Sequence, residues 1–170
     1  MKIIKTGSSF NIYGDDLKVL DKLPVGTYNL AFDRMRGPFL QKVDTLSINE
    51  EKIYGSHTEK LQKVLGSYQI FDRSMGVILS GAKGIGKSLF ARLLCDQAKE
   101  IGMPVLIADG YFPGFAEFID SIDQEAVVLF DEFEKNFARL SEDDTEEASP
   151  QSRLLGLFDG VSSKKKLYVI

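Results

Sequence analysis

Eight consecutive residues, Gly81-Ala82-Lys83-Gly84-Ile85-Gly86-Lys87-Ser88, have types and spacing suited to one kind of chemistry. They follow G-x-x-x-x-G-K-[ST] and sit between the apolar run Val77-Ile78-Leu79 and a helix-like stretch opening at Leu89. A loop delivered by a strand and followed by a helix turns backbone N–H groups toward phosphate. Gly81, Gly84 and Gly86 allow positive φ and leave no Cβ between the backbone and a triphosphate. Lys87 is expected to reach the β- and γ-phosphates, and the Ser88 hydroxyl to hold Mg²⁺. A carboxylate pair, Asp131-Glu132, directly follows a second apolar run, Ala126 to Phe130. Asp131 is expected to share the metal with Ser88, and Glu132 to orient and polarise a water in line with the γ-phosphate. Carboxylates after a strand also cap helices; the matching loop upstream is what favours the chemical reading.

The elements that must position these groups can be read from periodicity. Leu61, Val64, Leu65 and Tyr68 share one face of a helix expected from Glu59 to Phe71. Gly76 to Ser80 reads as a strand, followed by the loop and a helix that runs to about Ile101 and stops at Gly102-Met103-Pro104. Val105 to Ala108 and Ala126 to Phe130 read as buried strands, with a short helix over Phe115 to Ile122 between them. A further helix is expected over Gln151 to Phe158, after a polar, acidic loop from Asn136 to Pro150, and a fourth strand from Lys166 to Ile170. Strands alternating with helices from Gly76 onward imply a three-layer α/β/α fold with a mostly parallel sheet. Parallel strands present ligands at their carboxyl ends, where the glycine loop and Asp131-Glu132 can converge.

Residues 1–52 differ in character. Leu17 to Leu23 reads as one or two helical turns, and Thr27 to Phe32 with Phe39 to Val43 as a hairpin. Together they predict a small β-rich module that packs on the P-loop core of residues 53–170. Arg34 and Arg36 at the hairpin tip read as solvated turn charges.

Composition narrows the class. A formal net charge of −4 disfavours non-specific nucleic-acid binding by the chain as a whole. The single cysteine, Cys95, rules out a disulfide framework and a cysteine metal site, and reads as a buried structural thiol. No apolar run is long enough for a membrane span and no signal-peptide core is present, so a cytoplasmic protein is expected. His57, the only histidine, sits in a capping-box pattern, Ser56-His57-Thr58-Glu59, and reads as structural or exposed. ATP is favoured over GTP because no Asn-Lys-x-Asp run follows the loop.

These motifs resemble the AAA+ ATPases, with Gly81 to Ser88 in the place of the Walker A motif and Val127 to Glu132 in that of Walker B. Leu154 to Gly160 looks like the family's Leu-Leu-x-x-Leu-Asp-Gly helix end, and Lys166 to Ile170 like the strand leading into sensor 1. The resemblance covers about Ile53 to Ile170, and the whole arrangement is similar to phage-encoded AAA family ATPases. It implies ATP and Mg²⁺ as ligands, contacts from Gly81, Ala82, Lys83, Gly84, Ile85, Gly86, Lys87, Ser88 and Leu89, and a catalytic role for Lys87 beside Glu132. It also implies adenine contacts from Ile53, Tyr54 and Gly55, where a hydrophobic connector is the alternative. Tyr111-Phe112 stands in the place of an aromatic pore loop, although aromatics closing the sheet edge fit equally. Ring oligomers, commonly hexamers, are implied as well.

The chain departs from the family by ending before the sensor 1 polar residue, the arginine finger, the fifth strand and the helical lid. A truncated product with nucleotide binding and little turnover is expected on that ground. In the family order 5-1-4-3-2, the strand before the glycine loop is then left at an open edge. Arg139 and Arg153 are the nearby arginines that could replace a finger. The functional expectation is ATP-driven remodelling of a protein assembly. The alternatives are a DNA-replication accessory of helicase-loader type, for which Ala98 to Val105 has some likeness, and a non-hydrolysing nucleotide-dependent scaffold. A P-loop kinase is disfavoured because no phosphate-clamping arginine cluster is present.

Overall fold

The computed structural model describes residues 1–44, 57–133, 157 and 164–170. Strands β1 (Lys2–Thr6) and β2 (Ser9–Tyr13) form a separate antiparallel pair, turning at Gly7 with φ 60°. The main sheet contains β3 (Thr27–Asp33), β4 (Gly37–Val43), β5 (Met75–Val77), β6 (Val105–Ala108), β7 (Ala126–Phe130) and β8 (Lys166–Val169). Its order is β4-β3-β6-β7-β8-β5, and every pairing is parallel except β3 with β4. This is the α/β P-loop fold expected, with β5-β8-β7-β6 in the 1-4-3-2 arrangement and β5 at one edge among the described residues.

Alternation along the strands fixes the two faces. Val105, Val127, Leu167 and Val169 pack toward α1 (His57–Ile70) and α2 (Lys87–Glu100), where Leu61, Leu65, Tyr68, Leu94 and Cys95 meet them. Leu106, Ala108, Val128, Phe130 and Tyr168 face the other way, against Phe115 and Ile119 of α3 (Phe115–Asp120) and against Leu157. Full burial of a side chain such as Leu94 contributes about 1.5–3 kcal/mol. Cys95 lies in the first of these layers, and burial pushes its thiol up to about 12.

The hairpin expected in residues 1–52 is present but does not stand apart. Strand β3 adds to β6 in parallel, Thr27 opposite Val105 and Asn29 opposite Ile107, and buries Tyr28 and Leu30 in the core around Phe115. Its tip is an Asp33 turn: the carboxylate accepts hydrogen bonds from the Met35 and Arg36 N–H groups at 2.8 and 3.0 Å. Arg34 is exposed there, and the Arg36 guanidinium lies 5.0 Å from the Phe39 ring.

Leu17 to Leu23 forms no helix, contrary to its local pattern. Pro24 disfavours helical geometry at Leu23. The Leu23 peptide is instead held by Gln124, whose amide accepts from the Leu23 N–H at 2.7 Å and donates to the Leu23 carbonyl at 3.1 Å. Among the described residues no helix is long and apolar enough to cross a membrane. The helix expected over Gln151 to Phe158, apart from buried Leu157, and the loop from Asn136 to Pro150 lie outside the described residues. Ser56 of the expected capping box does too.

Candidate nucleotide site

Strand β5 ends at Val77, but its ladder with β8 continues: the Ile170 N–H donates to the Val77 carbonyl at 2.9 Å and the Leu79 N–H to the Ile170 carbonyl at 2.7 Å. The chain therefore leaves the sheet firmly anchored and enters Gly81–Ser88 beside the end of β8. Gly81, Gly84 and Gly86 have φ of 145°, 86° and 91°, the positive values for which glycine was expected. A Cβ on Gly81 would lie 2.2 Å from Ile85 Cδ1, so the loop is closed around the space a side chain would fill.

Gly86 caps α2 in left-handed geometry with no side-chain hydrogen bond to the first turn. The N–H groups at this helix start therefore have no capping side chain and point an electropositive end into the loop. The Lys87 ammonium folds over the loop, donating to the Gly81 and Ala82 carbonyls at 2.7 and 3.0 Å. Leu89 is half-buried in the first turn of α2, while Ala82, Lys83, Gly84 and Ile85 are exposed.

Lys87, Ser88 and Asp131 line one cleft of about 250 Å³ between the start of α2 and the carboxyl ends of the strands. Leu79, Ile107, Leu129 and Ile170 form its apolar floor, each within two residues of the carboxyl end of a different strand. The Asp131 N–H donates to the Ala108 carbonyl at 3.1 Å, which fixes that residue at the mouth of β6 and β7. Glu132 follows with φ 46°, the one non-glycine residue with positive φ among those described. Left-handed backbone costs a non-glycine residue about 1–2 kcal/mol, and such strain is concentrated at functional sites.

The donor set suits Mg²⁺ and phosphate. A hydroxyl and a carboxylate in one cleft are hard oxygen ligands, to which a magnesium ion adds water and phosphate oxygens. Among the described residues no cluster of three or more His, Cys, Asp or Glu side chains forms a self-sufficient metal cage.

The structure brings together the glycine loop, Ser88 and Asp131, with Glu132 adjacent in the chain. Ile53, Tyr54 and Gly55 lie outside the described residues, as do Arg139, Arg153 and most of Leu154 to Gly160. Two further residues stand near the loop. His57 is half-buried, its Cε1 3.6 Å from where a Gly86 Cβ would stand and its ring 6.0 Å from that of Phe90, so it abuts the loop. Arg92 lines the cleft, so Arg139 and Arg153 are not the only arginines to weigh. Its place four residues after Ser88 on a helix was the available signal.

Of the aromatic pair, Phe112 is buried, stacked on Phe32 at 5.5 Å and edge-on to Phe115 at 5.1 Å. It belongs to the core on the α3 side of the sheet. Tyr111 is half-buried, 5.8 Å from the Phe115 ring.

Residues 77–170 match the family described as "ATPase family associated with various cellular activities (AAA)". No curated protein and no solved structure matches the chain.

Proposed function

The chain belongs to the AAA family of ATPases, and we propose that it binds ATP with Mg²⁺ on Gly81–Ser88 and hydrolyses it to ADP and phosphate to remodel a protein assembly. The observation that carries this reading is the single cleft shared by Lys87 and Ser88, at the start of α2, and Asp131, directly after β7.

Each group has a defined task in this reading. The loop N–H groups and the uncapped start of α2 hold the phosphates, and the three positive-φ glycines let the backbone approach them. The Lys87 ammonium exchanges its two loop carbonyls for phosphate oxygens. Ser88 and Asp131 hold the metal, which supplies charge neutralisation when bound. Glu132 accepts a hydrogen bond from the attacking water and polarises it. Its left-handed backbone, φ 46°, is of the kind found at functional sites. Ile53, Tyr54 and Gly55 contact the adenine, by family likeness.

The net charge of −4 supports a protein target in preference to DNA. Ring assembly and a cytoplasmic location complete the proposal. Phosphate release by the full chain, compared with Glu132→Gln, tests it. The variant should keep ATP binding and lose turnover by about 10²-fold or more. Equal turnover in the two proteins would remove Glu132 from the mechanism.

A further inference from the structure

We propose that Arg92 binds the terminal phosphate of the nucleotide from within the same subunit. The inference rests on the ATP reading above and assigns one more residue of that site. Arg92 stands one helical turn beyond Ser88, on the same side of α2, and both line the cleft that Asp131 closes from the strand side. His57, which abuts Gly86, does not line this cleft. The cleft therefore holds the metal-binding pair and Arg92 together, at the end of the site where the γ-phosphate belongs.

Charge makes the same point. Lys87 is already turned onto the Gly81 and Ala82 carbonyls, and its single ammonium must serve both β- and γ-phosphates. Asp131 and Glu132 add negative charge beside them. Among the described residues the exposed Arg92 guanidinium has no hydrogen bond or ion pair. It is free to form the bidentate contact with phosphate oxygens that a planar fork makes well and an ammonium does not. The four apolar side chains of the floor lower the local dielectric and strengthen that contact.

The test is binding, measured by calorimetry on the full chain with Mg²⁺, using ADP and a non-hydrolysable ATP analogue in parallel. Arg92→Ala should weaken the analogue about tenfold, as loss of a charge-assisted hydrogen bond does, and leave ADP unchanged. Arg92→Lys should recover part of the loss. A variant that binds the analogue like wild type, or loses both nucleotides equally, overturns the assignment. Failure of the wild-type chain to bind either nucleotide would instead defeat the ATP reading, and this inference with it.

Discussion

Lys87 donates to the carbonyl of Gly81, six residues earlier, at 2.7 Å, so the ammonium bridges the mouth of its own loop. The contact holds a cation against a loop whose three positive-φ positions are glycine. A phosphate entering the loop meets that cation without a large side-chain search, which reduces the ordering cost of binding. The same contact is local and partly solvated, so the fold does not depend on it. Removing the charge should affect ligand more than stability.

Gly86→Ala separates strain from crowding. The added Cβ would stand 3.6 Å from His57 Cε1, an ordinary contact, but φ is 91°. The expected cost is therefore conformational, about 1–2 kcal/mol. A melting temperature lower by about 2–8 °C should result, with weaker nucleotide binding as the start of α2 shifts. An unchanged melting temperature would show that the left-handed cap is not required.

Phe112 and Tyr111 should behave differently. Phe112→Ala removes a buried ring from the cluster of Phe32, Phe115 and Phe118, and should destabilise by about 3–5 kcal/mol in denaturant titrations. Tyr111→Ala should cost clearly less stability, so any loss of remodelling it causes can be read as lost contact with a target. Equal destabilisation by both would contradict this division.

Cys95 predicts an alkaline signature. Burial raises its thiol from an ordinary 9.0 to about 12, so the folded state keeps a proton that the unfolded chain releases. The associated stability is complete below about pH 9 and declines as pH rises toward 12, by up to about 1.4 kcal/mol per pH unit. Urea midpoints at pH 8 and pH 10.5 should fall further for wild type than for Cys95→Ala. Parallel falls would show that the thiol is exposed to base in the folded protein.

What the sequence disclosed depended on how local the signal was. The strand, loop and helix around Gly81–Ser88 are contiguous and each has its own marker, so their geometry was legible down to the three positive-φ glycines. Val105 to Ala108 and Ala126 to Phe130 are apolar runs bounded by turn residues, and they form strands with those limits. The Thr27–Val43 hairpin was visible from alternation, but its pairing with β6 joins segments far apart in the chain, which no local pattern encodes. Leu17 to Leu23 forms no helix: Pro24 disfavours that geometry at Leu23, and Gln124, a distant side chain, holds the Leu23 backbone groups. His57 takes the structural alternative expected of it, but its neighbour Gly86 is close only in space, which no local pattern encodes.

The central claim is that Gly81–Ser88 is a phosphate cradle completed by Lys87, and titration calorimetry with Mg²⁺–ATP tests it most directly. Wild type should bind saturably. Lys87→Ala should bind more than about tenfold more weakly, while its thermal unfolding stays close to wild type because only two loop contacts are lost. An equally stable Lys87→Ala protein that binds ATP as tightly as wild type would contradict the account.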